Sequence, residues 1–213
     1  MKKETSDKIL NHYTKLYRKF GINPASLGWP KGKQNVRFSA MSKIGDLQNS
    51  RVLDVGCGFG DLLTYFKLRK IHVDYTGIDI NSEFINIAKQ KHPDTTFAVR
   101  DIETRKFKKK IDWVFGIGLT NKGGSYNYIE NLLEEMCRIA KKGVTMDFLS
   151  SYVDFKRKGD FHASPEQIFK IAKKFSKRVV IKHDYLPWQF CVFVYTNDKL
   201  NKDNMFNDFE LQK

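Results

Sequence analysis

Cysteine is scarce in this sequence and long apolar runs are missing, and each shortage removes a class of protein. The three cysteines, Cys57, Cys137 and Cys191, are odd in number and far apart. That argues against a disulfide framework and against the close pairing of a zinc site, so no metal is expected. No stretch approaches the roughly 18 apolar residues that span a bilayer, and Met1-Lys-Lys-Glu-Thr-Ser-Asp-Lys8 holds no apolar signal region. A cytoplasmic protein without membrane insertion is the expectation. The phosphate-cradling segment G-x-x-x-x-G-K-[ST] is also lacking. No internal repeat and no second domain is evident, and 213 residues with 41% hydrophobic side chains suffice for one large α/β core.

What the sequence has in excess is positive charge, and it is unevenly placed. The net charge is +14, of which residues 1–50 carry +7 and residues 151–200 carry +5, while residues 51–150 carry only +3. The flanks of a nearly neutral centre therefore face an anionic partner, or else form a solvated lysine-rich surface. In open α/β sheets such flanking segments lie near the carboxyl ends of the strands, where ligands bind. A small anionic molecule is the favoured partner, ahead of nucleic acid.

The central motif is Arg51-Val-Leu-Asp-Val-Gly-Cys-Gly-Phe-Gly60, followed by Thr76-Gly-Ile-Asp-Ile80. Val52, Leu53 and Val55 read as a buried strand, the three glycines as a turn, and Leu62, Leu63 and Phe66 as the apolar face of a helix. A dinucleotide fingerprint would carry a third glycine where Asp61 stands, and that carboxylate is unfavourable beside a pyrophosphate. The remaining pattern, Asp54-x-Gly56-x-Gly58-x-Gly60, suits an amine-bearing nucleoside without phosphates. S-adenosylmethionine meets that description.

With these residues, from about Arg51 to Tyr195, the chain resembles the class I S-adenosylmethionine-dependent methyltransferases. The resemblance implies that Asp54, Gly56, Cys57, Gly58 and Gly60 approach the methionine part of the cofactor. It further implies that Asp79 holds the ribose hydroxyls, as a two-oxygen acceptor can, and that Asp101 meets the adenine between Ile80 and Ile102. Gly116 closes the fourth strand against the cofactor, and Arg37 faces either the methionine carboxylate or an anionic acceptor. The chain is also similar to a less-characterised bacterial and viral branch, in Leu27-Gly28-Trp29 through Arg37-Phe38, in Asp147-Phe-Leu-Ser-Ser-Tyr-Val-Asp154, and in His183-Asp-Tyr-Leu-Pro-Trp-Gln-Phe190. It departs at Asp147, where relatives of that branch carry Asn.

Patterning along the chain alternates helices and strands. Helices are predicted over Thr5–Phe20, from Val36 to Leu47, over Ser82–Lys91, over Asn127–Lys141 and over Pro165–Phe175. Strands are predicted at 74–80, 95–100, 111–119, 143–149, 178–183 and 189–196, the last two joined through Asp184-Tyr-Leu-Pro-Trp188. Little room for a helix remains between Asp101 and Lys110. The closing pair matches the family's hairpin, which implies an α/β, Rossmann-like sheet of seven mostly parallel strands, helices on both faces, and a C-terminal antiparallel hairpin. The expected organisation is a helical cap over residues 1–50 within the same domain, a cofactor-binding core over 51–196 and a polar tail over 197–213.

The methyl acceptor is less legible. Strand 4 exits through Phe115-Gly-Ile-Gly-Leu-Thr-Asn121, without the [DNS]-P-P-[YFW] motif of adenine and glutamine amine methylases and without the cysteine nucleophile of pyrimidine C5 methylases. His162 and His183 are candidate bases, with Tyr126 and Tyr152 as candidate orienting groups. The expected activity is transfer to oxygen or nitrogen of a small, anionic metabolite. An RNA or protein methyltransferase and a non-catalytic adenosyl-binding sensor or partner subunit are the alternatives. The sequence carries no signal for oligomeric state.

Overall fold

A computed structural model of the chain describes residues 3–29, 33–103, 107 and 110–197. The expected tail beyond Asn197, and most of the segment between Asp101 and Lys110, lie outside the described residues. Two helices come first, α1 (Lys3–Phe20) and α2 (Gln34–Met41). The α/β alternation follows as β1 (Ser50–Val55), α3 (Asp61–Leu68), β2 (Val73–Asp79), α4 (Ser82–Lys91), β3 (Thr96–Val99), β4 (Ile111–Gly116), α5 (Tyr126–Ile139) and β5 (Ala140–Ser150). It closes with β6 (His162–Ala163), α6 (Pro165–Ala172), β7 (Arg178–Leu186) and β8 (Gln189–Tyr195).

Local chemistry explains these elements. Asn81 caps α4 by accepting from the N–H groups of Glu83 (2.9 Å) and Phe84 (3.3 Å). Ser164 caps α6 by accepting from Gln167 N–H at 3.2 Å, with Pro165 in the first turn, where a missing N–H costs least. Along α5, Ile129, Leu132, Leu133, Met136 and Ile139 fall on one face and are all buried. All seven residues of β8 are buried, as a strand covered on both faces requires.

The sheet runs β3-β2-β1-β4-β5-β8-β7, with β8 antiparallel to both neighbours. The expected seven-stranded order is present, and β6 adds an eighth, two-residue strand parallel to the end of β5. Sequence patterning cannot find so short a strand, because its two residues show no period. Other boundaries shift: α2 ends at Met41 and not Leu47, β4 at Gly116 and not Leu119, and α6 at Ala172 and not Phe175. The strand after α5 starts at Ala140 without a loop, so Lys141 belongs to β5 and not to the helix. The segment Asp184–Leu186, expected as a loop, continues β7, because an irregularity between Lys182 and Leu186 absorbs the extra residues and leaves Pro187-Trp188 as the turn.

One core layer packs β1, β4, β5 and β8 against α5 and α6, and the other packs the opposite sheet face against α2, α3 and α4. β1 and β4 lie side by side in parallel, with Val55 opposite Gly116, and the chain leaves the sheet in opposite directions on either side of them. A crevice forms outside the carboxyl ends of strands at such a switch point. A third cluster, Phe59, Phe84 and Ile87 packed by Tyr13, Tyr17 and Leu27, fastens α1 over that crevice. Among the described residues no helix is long and apolar enough to cross a membrane.

Candidate active site

Two adjoining cavities occupy the crevice. The first encloses about 1060 Å³ including its open mouth, enough for a cofactor-sized ligand. Its floor is the β1–α3 turn. Gly56 and Gly58 have φ of +71° and +54°, a left-handed backbone that other residues rarely adopt. A Cβ atom at Gly58 would also stand 3.0 Å from the methyl groups of Leu27. Asp79, at the end of β2, secures this turn by accepting from Gly58 N–H at 3.0 Å, and its other oxygen accepts from Asn81 N–H at 2.8 Å. Burial raises the Asp79 carboxyl above its ordinary value although these N–H groups pull it down.

Asp54 lies beneath the turn. Tyr75 donates its hydroxyl to one carboxylate oxygen at 2.5 Å, while the other oxygen is buried without a partner among the described residues. Burial pushes this carboxyl up to about 7, against the pull of the Tyr75 hydrogen bond. A buried carboxyl in that condition awaits a cation or an amine. Cys57 lines the same wall, and burial pushes its thiol well up, so it fills space rather than reacting.

Of the residues the sequence singles out, Asp54, Gly56, Cys57, Gly58, Asp79, Ile80, Asp101 and Ile102 border this first cavity. Gly60, Gly116 and Arg37 do not. A side chain at Gly60 would meet His92 and Phe97, and one at Gly116 would meet Leu119, Met136 and Met146. Both glycines are there for close packing. Arg37 is buried at the edge of the second cavity, its Nε donating to Gln189 Oε1 and standing 3.6 Å from Asp147 Oδ2, with its guanidinium stacked 3.5 Å from the Trp29 ring centroid. Asp147 in turn accepts from Gly118 N–H at 2.6 Å. Burial lowers Arg37 and raises Asp147, and their mutual attraction opposes both shifts.

The second cavity opens beyond that network, bounded by Trp29, Lys33, Tyr152, Phe155, His162 and Trp188 among others. Trp29 borders both cavities. Its indole lies against Gly118, where a Cβ atom would meet the ring carbon at 2.6 Å, so it forms the partition between them. His162 is fixed by β6, and its Nδ1 lies 2.8 Å from the carbonyl oxygen of Ser150. That carbonyl only accepts, so Nδ1 carries the proton and Nε2 presents a lone pair. Nε2 has no partner among the described residues. Tyr152 lines the cavity and donates its hydroxyl to Glu166 Oε1. The other two candidates lie outside both cavities. Tyr126 accepts from Ser164 N–H at 3.0 Å, and His183 sits on β7 with its ring 5.6 Å from that of Phe190.

A family model described as a methyltransferase domain matches residues 52–143, which span β1 through the start of β5. Over that segment the chain matches the methyltransferase-domain family, on the fold of a class I S-adenosylmethionine-dependent methyltransferase. This methyltransferase is 29% identical over 150 residues to "Putative methyltransferase Rv1506c" of Mycobacterium tuberculosis, covering 66% of this chain and 90% of the relative. It is 30% identical over 101 residues to the fatty-acid O-methyltransferase of Mycolicibacterium smegmatis, covering 46% of this chain and only 36% of that enzyme. Among solved structures, the magnesium protoporphyrin IX methyltransferase of Synechocystis PCC 6803 with bound S-adenosylhomocysteine superposes with a TM-score of 0.67 at 16% identity, covering 90% of this chain and 99% of that one.

Residues that patterning missed are mostly roof residues. Ile9, Leu10 and Tyr13 of α1, and Trp29 after it, reach the cavities from far away in sequence. The α1 residues read in sequence only as part of a helix over Thr5–Phe20, whereas Trp29 was marked by the Leu27-Gly28-Trp29 resemblance. No set of three or more His, Cys, Asp or Glu among the described residues is placed to hold a metal ion.

Proposed function

We propose that this methyltransferase moves a methyl group from S-adenosylmethionine, held in the first cavity, to an oxygen or nitrogen of a small acceptor held in the second. The observation that carries this reading is the adjacency of the cavities: Trp29 borders both, so ligands in the two can meet beside its indole. The cofactor supplies a sulfonium-bound methyl group open to in-line displacement. Asp79 retains free lone pairs after accepting two N–H groups, enough to take the vicinal ribose hydroxyls. Ile80 and Ile102 offer apolar faces to adenine, and the unpartnered oxygen of Asp54 receives the cofactor's ammonium.

In the second cavity Lys33 and Arg157 favour an acceptor bearing negative charge, and Trp29 and Trp188 provide flat apolar surfaces. His162, with Nδ1–H directed at Ser150 O, takes the acceptor's proton on Nε2 as the new bond to carbon forms and the carbon–sulfur pair returns to sulfur. The fatty-acid O-methyltransferase among the relatives supports an oxygen acceptor on an anionic, largely apolar molecule. Transfer of a tritiated methyl group to fractionated cell extract tests the reading. A small anionic product that His162→Gln slows without weakening S-adenosylhomocysteine binding is the expected result; label in RNA or protein alone, or no label, would sink it.

A further inference from the structure

The rim of the second cavity carries chemistry that methyl transfer does not need. Between β5 and β6 the chain runs as a loop along that rim. Its base is fastened. Ser151 N–H donates to Ala163 O at 2.8 Å, Phe161 N–H donates to Asn121 O at 2.9 Å, and Asp160 pairs with Lys122 and Arg157. Burial pushes the Asp160 carboxyl up, but the two cations outweigh it and hold it below its ordinary value. From that clasp the tip, residues 154–159, is exposed.

Two aromatic rings are exposed here, Phe155 at 77% and Tyr152 at 64%. Single exposed apolar residues are ordinary, but these are joined to cations. Lys156-Arg157-Lys158 follows Phe155 directly. On another stretch of the same rim, Trp188 in the β7–β8 turn has the Lys33 ammonium 5.6 Å from its ring centroid. Aromatic rings with adjacent Lys and Arg form the composition that settles at a lipid headgroup layer, ring toward the acyl boundary and cation toward anionic phosphates. A nucleic-acid strand is the poorer match. It needs a groove that tracks a backbone, whereas these groups ring the mouth of one cavity beside acids Asp154 and Asp160.

We propose that this rim docks on an anionic lipid surface, from which the second cavity receives an amphiphilic acceptor by its head group. The acceptor part rests on the function proposed above; the docking part does not. The test is co-sedimentation of the full chain with vesicles of phosphatidylcholine, with or without a quarter of phosphatidylglycerol. Binding to the anionic vesicles only, weakened by salt, is expected. Phe155→Ser should reduce it about tenfold, the scale of burying one aromatic ring, and Lys156→Glu with Lys158→Glu should reduce it at least as much. The charge-reversed variant should keep S-adenosylhomocysteine affinity and melting temperature, since neither lysine borders a cavity.

Failure of the wild-type chain to bind anionic vesicles, equal binding to both vesicle types, or undiminished binding by the charge-reversed variant would overturn the docking. So would binding of single-stranded RNA in place of vesicles, lost in the same variants. Vesicle binding together with methyl transfer only to water-soluble extract components would keep the docking and overturn the lipid-derived acceptor.

Discussion

Asp54→Asn isolates the electrostatic strain stored under the cofactor cavity. Asp54 titrates near 7 in the folded chain against an ordinary value of 3.8, so the folded state binds the proton more tightly than the unfolded state. Stability contributed by this residue is therefore greatest at low pH and falls as pH rises from about 4 to about 7, after which it levels. At 1.36 kcal/mol per unit, the loss between pH 5 and pH 8 is roughly 3 kcal/mol. Asparagine keeps an oxygen to accept from Tyr75 and carries no charge, so the variant escapes that loss. The difference in melting temperature between Asp54→Asn and the parent should grow by on the order of 5–10 °C from pH 5 to pH 8. Thermal melts across that range without ligand read it directly, and other titrating groups cancel in the difference. A constant difference over the whole range would refute the reasoning. Ligand should separate the two proteins as well: an ammonium group beside the carboxylate lowers its pKa, so S-adenosylhomocysteine should bind the parent more tightly at pH 8 than at pH 6 and the variant almost equally at both.

Other outcomes follow from the same geometry. Asp79→Ala removes the ribose acceptor and the anchor of Gly58, and should weaken S-adenosylhomocysteine binding by about 1.5–3 kcal/mol in calorimetry; unchanged affinity in a folded variant would remove the cofactor assignment. Arg37→Ala leaves Asp147 buried with Gly118 N–H alone and should cost about 3–5 kcal/mol in urea denaturation, while a cost under about 1 kcal/mol would mean the pair is not buried. Gly56→Val meets Leu119 as well as a left-handed backbone, so both ligand affinity and melting temperature should drop; normal values for both would show the turn misassigned. Removing α1, in a chain beginning at Ile22, takes Ile9, Leu10 and Tyr13 from the first cavity and should weaken S-adenosylhomocysteine binding several-fold. Undiminished affinity there would confine the N-terminal segment to the acceptor.

The lining of the first cavity was legible because its determinants are local. A glycine turn after one apolar run and carboxylates ending two more are fixed by a few adjacent residues each, and strand order carries them to one crevice. Gly60 and Gly116 show the limit of that reading. A glycine required for packing against Phe97 or Met136 looks the same in sequence as one required by a ligand. Arg37 was legible only as a choice between the methionine carboxylate and an anionic acceptor, and it borders the second cavity and not the first. Its partner Asp147 lies at the far end of β5, and only the folded sheet brings the two together. His162 gained its orientation from a two-residue strand without any period, and His183 lost its place because its ring packs toward Phe190, although its strand ends in the turn that borders the second cavity.

The roof has a kinetic meaning. Because α1 supplies one wall of the first cavity and packs through Tyr13 and Tyr17 on Phe59 and Phe84, lifting that helix would widen the mouth through which ligand exchanges. Lifting it exposes aromatic surface to water, which makes opening slow compared with diffusion. Where that widening paces the release of spent cofactor, a change such as Tyr17→Ala, distant from any reacting atom, should speed multiple turnover while leaving a single turnover unchanged, and equal multiple turnover would show exchange through the open mouth alone.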